Sequence, residues 1–459
     1  MSAHGQEQIP FQHLTLKDGL SQMFVSSVIQ DHEGFMWFGT KDGLNRYDGN
    51  TFKIYRHQPF DESALSDGHV RSLTVDHLGR IWIGTTTEAL SRYDPDRDCF
   101  RRFPLTVPGG ARNPPADVTA IAADGEGVLW LGTSGAGLIR YEIRSPQIPQ
   151  QSARPARETP PVVPSDISIT WIRYDANRPD GLSSDTIRCL AADRASGRLW
   201  IGTDAGLDCT DTRQWKHGVG RARPGSTDQV AGGQPAFSHH GLLPASPNHS
   251  VVSALTIDAH GTLWAGTGAG LFHLGPRDEQ FVHHPYPSTE WRSRMGTIRS
   301  LAACPPDPPA PAGTVWIGSV GGAAMFSVAA GTYAFYQHDP ANPGSLSGKS
   351  IQAVFRDRGG VIWLGSNGGG INYLDPVAIR FHTPDPVIAE ADVPNLTLRG
   401  LSVRSICESS RQERAVWIGA DAVYRLDSTS GACRRIPLPG NGLNRSEEHT
   451  SELQSRQVI

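Results

Sequence analysis

The stretch GFMWFGTKDGLNRYDG, residues 34 to 49, sets a tryptophan two residues ahead of a glycine and follows them with a second glycine and a Tyr-Asp pair. Its wording returns along the chain. Aligned on tryptophan, the sequence contains eight copies of a W-x-G phrase, at Trp37, Trp82, Trp130, Trp200, Trp264, Trp316, Trp363 and Trp417, at intervals of 45 to 70 residues. Ahead of each comes an apolar run such as VSSVIQD, VRSLTVD or VTAIAAD, whose alternation is the period of a β-strand. In six copies the run ends in an Asp with a Gly three or four residues later: Asp31/Gly34, Asp76/Gly79, Asp124/Gly127, Asp193/Gly197, Asp258/Gly261 and Asp357/Gly360. An Asp that bonds its own turn and a Gly that tolerates positive φ are hairpin chemistry, so the first two strands are joined tightly. A second turn and a third strand follow (GLNRYD at 43 to 48, ALSRYD at 89 to 94), and a segment of the FKIYRH type closes the unit. Asp42, Asp48 and Asp94 read as turn residues.

Each unit is therefore four short antiparallel strands without a helical segment. One such sheet cannot bury both of its faces, and stacking the sheets radially solves the problem, so the predicted fold is an all-β propeller. In that fold the tryptophans sit on the second strand and fill the gap to the next blade, while Gly39 and its equivalents let the neighbouring backbone approach. Eight equivalent copies speak for architecture rather than for a carbohydrate-stacking platform.

FQHLTL, residues 11 to 16, stands ahead of the first repeat as a spare fourth strand that would close the ring and remove its open edge. The expected organisation is a disordered N-terminus at 1–10, a seven-bladed propeller over 11–390 clasped by the strand at 11–16, and a first blade of a second propeller at 391–444. A single eight-bladed ring is the alternative. RSEEHTSELQS, at 445 to 455, departs from the repeat and resembles the translation of a sequencing-library adapter, so 445–459 is set aside as an artefact and the natural protein is expected to continue beyond Asn444. Three interruptions, at 143–166, 215–247 and 304–313, are rich in Pro, Gly or His and read as flexible surface loops, because their low apolar content does not offset the entropy of ordering.

Composition narrows the function classes. The chain has 459 residues with 38% apolar content, 50 Gly and 34 Pro, a turn-rich profile. The net charge of −4 is interspersed, which leaves no basic field for a nucleic acid. No run of about 18 apolar residues occurs, and MSAHGQEQIP lacks the build of a signal peptide. Six cysteines show no CxxC spacing and argue for neither a zinc site nor a disulfide scaffold. No nucleophile elbow, HExxH helix, P-loop or calcium loop is present. The pairs His239/His240 and His283/His284 read as solvated histidines rather than metal ligands, so no catalytic residue, metal or cofactor is expected.

One polar feature recurs. Arg71, Arg188, Arg299 and Arg404 hold the second place of the first strand in four repeats. In a propeller that strand lines the central channel, where guanidiniums at one mouth can grip carboxylate or sulfate groups bidentately. The competing reading is that they pair with neighbouring Asp or Glu and pack over aromatics.

The phrases LKDGLSQMFVSSVIQDHEGFMWFGTKDGLNRYDGNTFKIYRHQP, YDANRPDGLSSDTIRCL and YQHDPANPGSLSGKSI resemble the two-component regulator propeller repeat, and the likeness runs over about 11 to 444. The resemblance implies the extracytoplasmic sensor region of a bacterial membrane receptor. In that family two propellers precede a small β-sandwich, a membrane helix and an output module, usually a histidine kinase acting in a phosphorelay, or else a diguanylate cyclase. It further implies a small-molecule or oligosaccharide ligand, a homodimer in the full-length receptor, a periplasmic location, and contact with the membrane only through downstream segments. Two readings from other classes stand beside it: a propeller enzyme such as a lyase or glycosidase, and a cytosolic protein-interaction scaffold.

Overall fold

The computed structural model describes residues 10–86, 89–105, 117–125, 127–143, 167–173, 175, 177–216, 236–242, 251–305 and 313–375, together with strands at 405–408, 415–419, 423–427 and 433–436. The chain divides into two compact units, Met1–Pro376 and Val377–Ile459.

In the first unit, blade 1 runs outward through Val25–Gln30, Met36–Thr40, Gly43–Tyr47 and Phe52–Tyr55, in sequence order and antiparallel throughout. Five more blades repeat this order, and the first strands of successive blades pack side by side around the axis. Blade 7 takes its first three strands from Ile351–Arg356, Ile362–Ser366 and Ile371–Leu374, and its outer strand is Gln12–Leu14 from the start of the chain. The result is a seven-bladed ring with its edge paired. The eight-bladed alternative is not formed, because the first strand of blade 1 packs directly against blade 7: a Cβ on Gly365 would lie 2.7 Å from Val25 Cγ1.

That contact is one of seven. The glycine of each W-x-G phrase faces the first-strand residue of the next blade, Gly39 against Val70, Gly84 against Val118, Gly132 against Ile187, Gly202 against Val252, Gly266 against Ile298 and Gly318 against Ile351. The sequence reading has the neighbour's backbone approaching here; what approaches is chiefly a β-branched side chain, whose methyls fill the space a Cβ would need. The tryptophans two residues ahead of these glycines fill the gaps between blades as expected. Trp37 joins Val70 and Ile83 of blade 2, and Trp130 joins Ile187 and Ile201 of blade 4, all in apolar clusters that span two blades. Each such ring removes roughly 200 Å² from water, about 5 kcal/mol of burial.

The turn aspartates do more than turn the chain. Asp31 accepts from the Gly34 and Phe35 amides, and its second oxygen takes the Trp37 indole N–H at 2.6 Å. Asp76 and Trp82, and Asp357 and Trp363, repeat the indole bond at 2.8 Å, and Asp258 and Trp264 at 3.2 Å. The glycines that close these turns have positive φ, Gly34 at 104° and Gly360 at 92°. Asp48 caps its own turn through the Asn50 and Thr51 amides, Asp42 pairs with Arg56, and Asp94 ends a third strand.

Several expectations need correction. The units are not free of helix: Thr289–Met295 is a short α-helix between blades 5 and 6, held because Met295 is fully buried and Ser288 caps its N-terminus. The interruption at 215–247 is not a loop throughout. Trp215 and Phe237 are buried, and Ser238–His240 forms the outer strand of blade 4, since that blade has no other segment to cover its third strand. The histidine pairs lie on outer strands, where His239 is exposed while His240, His283 and His284 are half-buried against neighbouring rings. His283 stacks on Phe272 with ring centroids 4.3 Å apart, His284 hydrogen-bonds His273 at 2.7 Å, and His239 bonds the buried Asp208. The expected disorder at 1–10, the interruption at 143–166, most of that at 304–313, and the adapter-like 445–459 lie outside the described residues, apart from Pro10, Ile143 and the ends of 304–313.

In the second unit, Ser405–Glu408, Ala415–Gly419, Val423–Asp427 and Cys433–Ile436 make one antiparallel sheet in sequence order, with Trp417 on its second strand. This is the blade pattern once more, from the eighth repeat.

Candidate functional site

The site begins with an irregularity in the first strand of each blade. In blade 1 the pairing runs Val25 to Thr40 and then Ser27 to Gly39, so Ser26 is passed over. The same skip passes over Arg71, Thr119, Arg188, Arg299 and Gln352 in blades 2, 3, 4, 6 and 7. In blade 5 the equivalent Ser253 donates its amide to Gly266 O at 3.1 Å. A β-bulge frees one residue from the ladder and re-aims its side chain. Here all seven such residues turn to one place, a cavity of about 330 Å³ in the middle of the ring that Phe24, Val251 and Thr297 also line.

Three of the four arginines singled out in the sequence, Arg71, Arg188 and Arg299, thus meet in this cavity. Arg404 lies outside the described residues. Arg71 pairs with Asp117 at 3.1 Å, and Arg188 grips Asp204 with two nitrogens, at 2.6 and 3.0 Å. Arg299 is exposed and has no hydrogen-bond or ion-pair partner among the described residues. The two sequence readings therefore each hold for part of the ring: two guanidiniums are neutralised by neighbours and one is not.

The remaining polar groups are largely committed. Ser26 donates to Val70 O at 2.6 Å, Thr119 to Ile187 O at 2.7 Å and Ser253 to Ile298 O, each bracing its blade to the next. Gln352 donates its amide to Ser350 at 2.8 Å. The hydroxyls can accept from a ligand but have no proton left to offer. Phe24 supplies an aromatic wall, with the Lys41 ammonium 4.3 Å over its ring and His69 edge-on beside it. Burial, helped by the Arg71 and Lys41 charges, holds the His69 pKa below its ordinary value. The imidazole therefore adds no charge near neutral pH. Sequence reasoning found the arginines by their recurrence; it missed their equivalents, because Ser26, Thr119, Ser253 and Gln352 share a place in the repeat but not a chemistry.

Among the described residues the cavity lining holds no carboxylate, imidazole or thiol, and the hydroxyls of Ser26, Thr119 and Ser253 donate to backbone carbonyls rather than to a base that would activate them. Among the described residues no group of three or more His, Cys, Asp or Glu is placed to hold a metal ion, and no helix is long and apolar enough to cross a membrane. Cys99, Cys189, Cys209 and Cys304 are free thiols, and burial pushes Cys209 up to about 12.

Comparison with known proteins gives a consistent picture. Residues 19–42, 64–87, 114–135 and 181–205 match the family model described as two component regulator propeller. A curated relative, histidine kinase P4 of Formosa agariphila, is 52% identical over 56 residues, which are 12% of this chain and 4% of that protein. The extracellular domain of a hybrid two-component system from B. thetaiotaomicron is similar in structure at a TM-score of 0.59 and 21% identity, over 94% of this chain and 49% of that one. The extracellular domain of a one-component system from the same organism gives 0.55 and 20%, over 95% and 48%. A streptogramin B lyase gives 0.53 and 12%, over 81% and 99%. These structural likenesses are likenesses of fold, and the chain spans about half the length of the two extracellular domains.

Proposed function

We propose that this chain, a two-component regulator propeller, is the ligand-sensing part of a membrane-bound bacterial receptor, placed on the periplasmic face of the inner membrane and non-catalytic in itself. The observation that carries the reading is the central cavity: seven first-strand residues of one structural place but mixed chemistry converge on it, with no general base beside its hydroxyls among the described lining residues. A differential affinity for two arrangements of the receptor then turns ligand occupancy into a signal. The full-length receptor acts as a homodimer with a histidine kinase as its output, a choice supported by the name of the curated relative. A diguanylate cyclase is the other output the resemblance implies. The sheet at 405–436 begins a second propeller, as its repeat of the blade pattern supports.

The enzyme reading gains no support from the lyase, whose likeness is confined to fold at 12% identity. The deciding experiment is the complete reading frame together with its output. A membrane-spanning segment and a kinase module are expected beyond Asn444, with autophosphorylation that changes when the cavity is filled. A complete gene without either segment would end the receptor reading.

A further inference from the structure

The central cavity has a polarity that follows from which of its donors are already used. Around the ring, Arg71 and Arg188 each have a carboxylate partner, Ser26 and Thr119 donate to the backbone of the next blade, and Gln352 donates to Ser350. Arg299 alone among the arginines of the lining has no partner among the described residues, and it is not a buried charge left over by packing but an exposed guanidinium beside the cavity. On the far side of Gln352 lies Phe24, with the Lys41 ammonium over its ring. The half of the ring formed by blades 6, 7 and 1 thus has uncompensated positive charge, an open bidentate donor and an aromatic wall, while the half formed by blades 2 to 4 is internally neutralised.

We infer that the central cavity binds a small molecule through one acid group, a carboxylate or its like, held by Arg299, with the rest of the molecule against Phe24. The inference deepens the sensor reading and rests on the cavity being the ligand site. A planar guanidinium matches a carboxylate with two parallel N–H bonds, and such charge-assisted bonds are the strong ones. Ser26, Thr119 and Ser253 can only accept in this cavity, so they suit hydroxyl or amide donors elsewhere on the ligand. Asp117 and Asp204 act as built-in competitors, each holding a guanidinium that a second acid group would otherwise take.

The test is calorimetric titration of the whole chain with benzoate, its neutral counterpart benzamide, and acetate. Benzoate is expected to bind at least about tenfold more tightly than benzamide, a difference of about 1.4 kcal/mol. R299Q should remove that preference without shifting the melting temperature of the unliganded protein, since the side chain is exposed and unpartnered. D204N, which releases Arg188, should strengthen benzoate binding several-fold; it keeps the test decisive should R299Q fold poorly. Benzoate tighter than acetate assigns the site to an organic acid that uses the Phe24 wall, and equal affinities assign it to a free small anion; both keep the acid group on Arg299. Equal affinities for benzoate and benzamide, or an R299Q protein that binds benzoate as the parent does, overturns the inference. Loss of binding in R299Q with an unchanged signal from the full-length receptor would instead break the sensor reading and leave the acid site standing.

Discussion

Val25, on the first strand of the first blade, sits where a Cβ on Gly365 of the last blade would have to be, 2.7 Å from its Cγ1. The ring is therefore closed by side-chain packing near its axis as well as by strand pairing at its rim. Replacing Gly365 with Ala forces a methyl into filled space, and overpacking of this kind costs about 1 to 3 kcal/mol. G365A is expected to lower the urea midpoint accordingly. G241A, at a glycine with nothing within 4 Å, is the control and should be close to neutral.

The rim closure depends on three residue pairs, Gln12 with Tyr373, His13 with Asn372 and Leu14 with Ile371. A chain lacking residues 1–16 loses that strand and exposes the edge of Ile371–Leu374, a template for pairing with other chains. Concentration-dependent association in size-exclusion chromatography is expected. A synthetic peptide of residues 10–18 should reverse it; monomeric behaviour of the truncated chain would show that the clasp is dispensable.

The indole bonds separate two classes of tryptophan. Trp82 donates to Asp76, which is 7% exposed and also takes the Leu78 and Arg80 amides, whereas the buried Trp130 Nε1 has no partner among the described residues. W82F removes one of two donors to that Asp76 oxygen, Arg80 Nε at 2.6 Å remaining, and should cost about 0.5 to 1.5 kcal/mol more than the change of ring alone. W130F removes an N–H that was already unsatisfied, so its cost should be smaller by a similar amount. Equal losses in parallel urea titrations would refute the distinction.

His239 gives the fold a pH dependence. Its imidazole is 2.7 Å from the buried Asp208 and 2.9 Å from Pro179 O; burial works against the charge, but the bond and charge of Asp208, the Pro179 carbonyl and the Asp180 charge together outweigh it and raise the pKa above the ordinary value. A raised folded pKa means stability that is fully present below about 6.5, the unfolded value, and lost as pH rises through the folded one. The urea midpoint should therefore fall as the pH rises above about 6.5, and H239Q should flatten that part of the profile. A slope unchanged by H239Q would assign the titration elsewhere.

The architecture was open to reading because it is written many times over. The Trp–Gly phrases, the Asp–Gly turns and the spare strand at the N-terminus each state a local rule, and the ring is their sum. What escaped were matters settled by neighbours in space. The indole of Trp37 reaches Asp31 only once the hairpin between them has formed. The outer strand of blade 4 hides in a Gly- and Pro-rich stretch because Ser238–His240 is a strand through its pairing with Leu207, Asp208 and Cys209 and not through its composition. The cavity was half legible: Arg71, Arg188 and Arg299 share a place in the repeat, but Asp117 and Asp204, which neutralise two of them, come from a residue before a first strand and from a turn.

The bulge that passes over Ser26, Arg71 and their equivalents has a consequence for how such a protein can diversify. A residue outside the ladder and facing an open cavity contributes to the fold only through its own side-chain bonds, such as the Ser26 and Thr119 braces or the Arg71 and Arg188 ion pairs, so exchanging it disturbs less than exchanging a packed strand neighbour. Seven positions of this kind, one per blade, form a vocabulary that a lineage can rewrite letter by letter without disturbing the grammar of the ring. New binding preferences then become accessible through single substitutions, at the least cost where, as at Arg299, the side chain has no partner among the described residues.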